Sequence, residues 1–108
     1  MTEKDLSIGK GASLQQIYRG EWCKDFEALM RHRLAIGYFR YGSLKQQKKG
    51  QYDCVQSIID RAKIYQETGN DEILVDIANL ALVEFRNGNH PKKHFKASDD
   101  AIHVRSNQ

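Results

Sequence analysis

The sequence predicts an all-α fold, and three observations carry that prediction. Apolar residues recur at spacings of three and four in three long segments; no segment alternates with a convincing period of two; and Ser, Asn and Gly stand where helix ends need them. With 108 residues, 40% of them hydrophobic and 29% charged, the chain fits one domain of ordinary globular composition. The expected layout is a flexible N-terminal arm over 1–12, a helical domain over 13–97 with three main helices and one or two short ones, and a C-terminal tail over 98–108. Three helices bury their apolar faces poorly alone, so dimers or larger homo-oligomers are expected.

Ser13 is placed to cap a short helix from Leu14 to Arg19, with Gly20 as its stop. A longer helix is expected from about Glu21 to Arg40, ending at Tyr41-Gly42, because Trp22, Phe26, Leu29, Met30 and Leu34 make one apolar stripe. SLKQQKKGQ (43–51) has no apolar period and reads as an exposed loop. The next helix carries Tyr52, Val55, Ile58, Ile59, Ala62 and Tyr65 on one expected core face, with Asp53, Asp60, Lys63 and Glu67 toward water. Gly69 is its left-handed terminator. Asn70 caps the central helix, whose first turn holds Asp71 and Glu72 and whose apolar residues run from Ile73 to Phe85. Asn87-Gly88-Asn89 ends it. The tail, with HPKKHF and then SDDAIHVRSNQ, is expected as a strap held by Phe95, or as a short helix after Ser98.

Charge is uneven. The net value is +3, but residues 1–50 hold ten Lys/Arg and five Asp/Glu, and no acid occurs between Arg31 and Lys49. A basic stretch beside an acidic helix points to an anionic ligand or to oligomer contacts. There is no apolar run long enough for a membrane span and no apolar leader, which predicts a cytoplasmic protein without membrane partners. Cys23 and Cys54 form no ligand pair and are expected to be reduced.

Four constellations could carry chemistry. Glu72, Asp76 and Asn79 form a stripe on the central helix, and Glu21 and Asp25 form a second pair spaced i, i+4. Oxygen ligands from two helices are a way to hold Mg²⁺, so Glu72 and Asp76 are the candidate metal ligands. Asp76 lies among Ile73, Val75, Ile77 and Leu80, and a carboxylate drawn into an apolar surface needs a partner. Arg61, with Tyr65 one turn on, is a candidate for that partner or for a phosphate. The stretch RHRLAIGYFRYGSLKQQKK interleaves Arg33 and Arg40 with Tyr41, and Lys45 follows. Cations take phosphates and aromatic rings stack on bases, so a nucleotide fits; single-stranded nucleic acid is the less favoured partner. His90 and His94 in HPKKHF have no Cys or acid beside them to complete a zinc set.

Taken together, GYFRYG, the Lys/Gly-containing loop, YQETGN and EILVDIANLALVEF resemble, over about residues 31–86, small phage-type proteins: the all-α MazG-like NTP pyrophosphohydrolases and phage dATP/dGTP diphosphohydrolases. That resemblance implies a helical dimer or tetramer holding a nucleoside phosphate between helices, with Mg²⁺ on acids of two helices. Such proteins place their acids three apart, as ExxE and ExxD. Here the pairs are four apart, and only Glu72 and Asp76 correspond.

The expected function is nucleotide binding without turnover, as in phage anti-defence proteins that sequester a nucleotide signal. The binding residues would be Arg33, Arg40, Tyr41, Lys45, Arg61, Tyr65, Asp76 and Asn79. The alternatives are a Mg²⁺-dependent pyrophosphohydrolase, and a protein-binding inhibitor or adaptor that uses the basic 31–49 segment.

Overall fold

The computed structural model describes residues 11–97 and 104–107. Four helices follow in order: α1 (Leu14–Glu21), α2 (Lys24–Tyr41), α3 (Cys54–Thr68) and α4 (Asp71–Asn87), with no strand among the described residues. The all-α expectation holds, with one short helix and three main ones. Most of the expected N-terminal arm, and the start of the expected helix after Ser98, lie outside the described residues. None of the helices is long and apolar enough to cross a membrane.

The caps act as their residue types dictate. Ser13 Oγ accepts from Gln16 N while Gln16 Oε1 accepts from Ser13 N, a reciprocal box that satisfies two otherwise orphaned donors. Helix α1 then runs through Gly20 to Glu21 rather than stopping at Arg19. Helix α2 starts at Lys24, not Glu21, because Cys23 is its N-cap and its Sγ accepts from Phe26 N at 3.4 Å. That boundary puts Glu21 at the end of one helix and Asp25 in the first turn of the next, so the expected i, i+4 acid pair does not form on one helix. Gly69 closes α3 in the left-handed conformation, φ 66°, and Asn70 Oδ1 accepts from Glu72 N to open α4.

Helix α4 is the hub, packing against α3 on one side and α2 on the other. The core is small. Cys54 and Val75 are the buried apolar residues among those described, and Asn79 is the buried polar one. On α3 the face toward α4 runs Cys54, Ile58, Arg61 and Tyr65. The expected face is rotated: Tyr52, Val55, Ile59 and Ala62 are exposed. Trp22 and Leu29, expected in the α2 core stripe, are also more than half exposed, and the Trp22 ring nitrogen instead donates to Glu27 Oε1.

The 43–51 loop is not a free excursion. It docks on the C-terminal end of α4: Gly50 N donates to Asn87 O, Lys49 Nζ to Arg86 O at 2.6 Å, and Asn87 Nδ2 to Leu44 O at 2.8 Å. The first two bonds serve α4 carbonyls that a helix C-terminus leaves without partners, and the third runs the other way, from the α4 side chain to a loop carbonyl. Gly50 is required there: its φ is +69°, and a Cβ would collide with the Asn89 side chain. The HPKKHF segment also departs from expectation. Phe95 is 82% exposed and holds nothing down, whereas Lys93 reaches back, Nζ donating to Glu84 O at 3.0 Å and lying 5.8 Å from the Phe85 ring centroid.

Candidate functional site

The second half of α2 (from Arg33 onward), the docked loop, the N-terminal half of α3 and the C-terminal half of α4 enclose a cleft of about 930 Å³. Its position follows from the topology. Arg33 anchors α2 to the first turns of α4, and the loop ties the far end of α4 to the chain that enters α3. What remains between them is concave and mainly apolar, with Leu34, Ile36, Leu80, Leu82 and Val83 among its lining.

Seven of the eight binding residues expected from sequence line this cleft: Arg33, Arg40, Tyr41, Lys45, Arg61, Asp76 and Asn79. They come from three helices and a loop. The eighth, Tyr65, lies at the other end of α3, where its hydroxyl points to Asp71 Oδ1 at 3.5 Å. Glu72 is also outside the lining.

Asp76 has the partner its setting demands, but from α2. Arg33 Nε stands 3.4 Å from Asp76 Oδ1 and Nη1 3.0 Å from Glu72 Oε1. A single planar guanidinium therefore spans both carboxylates and ties α2 to α4. The tie expected from Arg61 is not the one formed: Arg61 Nη1 donates to Ser57 O at 3.4 Å, within its own helix. Arg33 was expected as a phosphate clamp, yet its charge is met by two acids. Glu72 and Asp76, the candidate Mg²⁺ ligands, are held by an arginine, and among the described residues no three His, Cys, Asp or Glu side chains gather as a metal set.

The remaining cations have a different standing. Arg40, Lys45 and Arg61 make no ion pair among the described residues. Helix α3 turns its N-terminal end toward the cleft through Cys54 and Ser57, and the Asp53 carboxylate that caps that end offsets its partial positive charge. The C-terminal ends of α2 and α4 act the other way, and Arg40 and Arg86 in their last turns offset that negative end. At the rim Tyr41 and Tyr52 meet edge to face, centroids 6.0 Å apart.

Asn79 lies in the floor, 8% exposed. Its Nδ2 donates to Met30 O at 3.0 Å, tying α4 to α2 again, while Oδ1 is buried with no hydrogen-bond partner. Cys54 is buried on the α3 wall, facing the last turns of α4, and burial, then the nearby Glu84 and Asp53 carboxylates, push its thiol pKa up.

Sequence reasoning missed Tyr52, Ser57, Cys54 and Arg86 as lining residues. Tyr52 had a usable signal, an aromatic directly after a basic loop. Ser57 and Cys54 had none, since only the rotation of α3 turns them to the cleft. Comparison with protein-family models, with characterised proteins and with solved structures gives no match.

Proposed function

We infer that this chain binds a nucleotide, a nucleoside phosphate or a nucleotide-derived signal, in the cleft bounded by α2, α3 and α4, and holds it without turnover. The observation that carries the reading is the meeting of Arg40, Lys45 and Arg61, none of them in an ion pair among the described residues, with Tyr41 and Tyr52 around one largely apolar cleft. Its size falls in the range of small-molecule sites, roughly 300–1,000 Å³. Phosphate needs cations that are not already neutralised, and a base or sugar needs an apolar or aromatic wall.

Binding is favoured over hydrolysis by the state of the acids. For Glu72 and Asp76 to hold Mg²⁺, the metal would have to displace the Arg33 guanidinium that bridges them. The test is to incubate the protein with a nucleotide panel, with and without Mg²⁺, then to denature it and analyse the nucleotides by liquid chromatography and mass spectrometry. Intact nucleotide, retained in proportion to protein and lost in Arg40→Ala/Lys45→Ala, is the expected result. Shortened products that appear only with Mg²⁺ would establish a hydrolase instead, and retention of nothing would leave a protein partner as the better account.

A further inference from the structure

Asn79 is the buried polar side chain among the described residues, and only half of its amide is used. Nδ2 donates to Met30 O at 3.0 Å, and that carbonyl fixes the amide with its nitrogen there. Oδ1 is the spare end, closed to solvent and without a donor. Most buried polar groups find a partner, so an orphan calls for a physical reason. Its position supplies one. Asp76, Asn79, Leu80 and Val83 follow the i, i+3, i+4, i+7 spacing of one helix face, and all four line the cleft. Met30 O is also the helical acceptor for Leu34 N, so the amide lies beside Leu34, another lining residue. Neither arginine of this region supplies the bond: Arg61 donates to Ser57 O, and Arg33 is held by Glu72 and Asp76.

We propose that Asn79 is the specificity-determining residue of the cleft. Its Oδ1 accepts a hydrogen bond from the exocyclic amino group of a bound base, and so selects adenine or cytosine over a base with an oxo group at the same place. The proposal rests on the nucleotide reading above. In the empty protein, a buried acceptor without a donor carries the cost of a missing bond. An amino group that enters between the side chains of the floor restores that bond, whereas an oxo group brings a second acceptor against the first. A site built for a donor rejects the analogue lacking it far more strongly than an apolar pocket rejects an added group. The base is better placed than the sugar to supply the donor. Arg40 lies ten residues beyond Met30 on α2, roughly 15 Å along the helix. With its phosphates at Arg40 and Lys45, a nucleotide brings the base, its end farthest from the phosphates, to the depth of Asn79.

The test uses matched probes in calorimetric titration: ATP against ITP, and CTP against UTP, each pair differing by an amino group exchanged for an oxo group. The wild type should bind the amino member of the pair it prefers about ten-fold or more tightly. Asn79→Leu should lose that preference. Asn79→Asp, which keeps an acceptor and gives up the donor to Met30 O, should retain it; if it does not, Asn79 serves only to tie the helices and the proposal fails. A preference that survives in a folded Asn79→Leu also overturns it, and 2′-deoxy-ATP as weak as ITP would move the donor to the sugar and overturn the assignment to the base. Equal binding within both pairs overturns the proposal while nucleotide binding stands, whereas no binding of any of the four removes the nucleotide reading with it. Should the Asn79 variants fail to fold, the wild type still decides: the Asn79 side-chain amide resonance should shift on saturation with the preferred nucleotide, and an unmoved resonance overturns the proposal.

Discussion

Arg33 is where residue-level chemistry decides the most. Its guanidinium neutralises Glu72 and Asp76 together while only about a third exposed, so it does more than a surface ion pair. Arg33→Met should lower stability in urea denaturation by about 1–2 kcal/mol, because two carboxylates one helical turn apart are left without a counter-charge. Asp76→Ala should cost less, since Glu72 remains for the arginine. The double variant should be less destabilised than the sum of the two; strict additivity would mean that the contact contributes nothing. The cysteines make a second residue-level contrast. Cys23 is exposed and Cys54 is buried with its pKa raised, so a thiol reagent near neutral pH should modify Cys23 and reach Cys54 only on unfolding. The sign for stability follows. The unfolded thiol ionises first, so the contribution of Cys54 is intact below about pH 8.5 and declines as pH rises beyond it. Equal modification rates for the two thiols in the native protein would contradict this placement.

At the scale of elements, glycines give opposite expectations. Gly50 holds a positive φ where the loop docks on α4, and a methyl group there meets Asn89; Gly50→Ala should destabilise by about 1–2 kcal/mol. Gly37 sits inside α2 with open space around its missing Cβ, so Gly37→Ala should raise stability by about 0.5–1 kcal/mol. Thermal unfolding of the two variants side by side checks both signs. The helices themselves were largely legible, because the signals at Ser13, Gly69 and Asn70 are local and each acts as its chemistry requires. The start of α2 was not, since the cap there is a thiol and not an oxygen. The inward face of α3 was misread for a related reason. Apolar residues cover two adjacent flanks, and periodicity cannot say which of the two meets α4. The partner of Asp76 was hidden too, because Arg33 and Arg61 are chemically equal candidates and only the packing of α2 on α4 chooses between them. The same limit applied to the loop: its Lys-rich composition says solvent, yet Lys49 and Gly50 are tied to the last carbonyls of α4.

The whole molecule is a scaffold with one filled seam and one open one. Helix α4 uses one side to grip α3, and its first half is tied to α2 by Arg33 and by the Asn79 side chain. The opposite halves diverge, and the cleft lies there with its cations and tyrosines. This division of labour gives Arg33 and the Asn79 side-chain nitrogen to the fold and leaves Arg40, Lys45 and Arg61 for a ligand. Affinity for a nucleotide should then fall as salt rises, since its phosphate contacts are partly exposed. The most direct measurement is calorimetric titration of the folded protein with the nucleotide that the panel retains, comparing the wild type with Lys45→Ala and Arg61→Ala. The account predicts a saturable heat, weakened about ten-fold or more by either change, as expected for loss of a charge-assisted contact, with helical content unaltered. Binding that is indifferent to both residues, or no heat with any nucleotide, would contradict it.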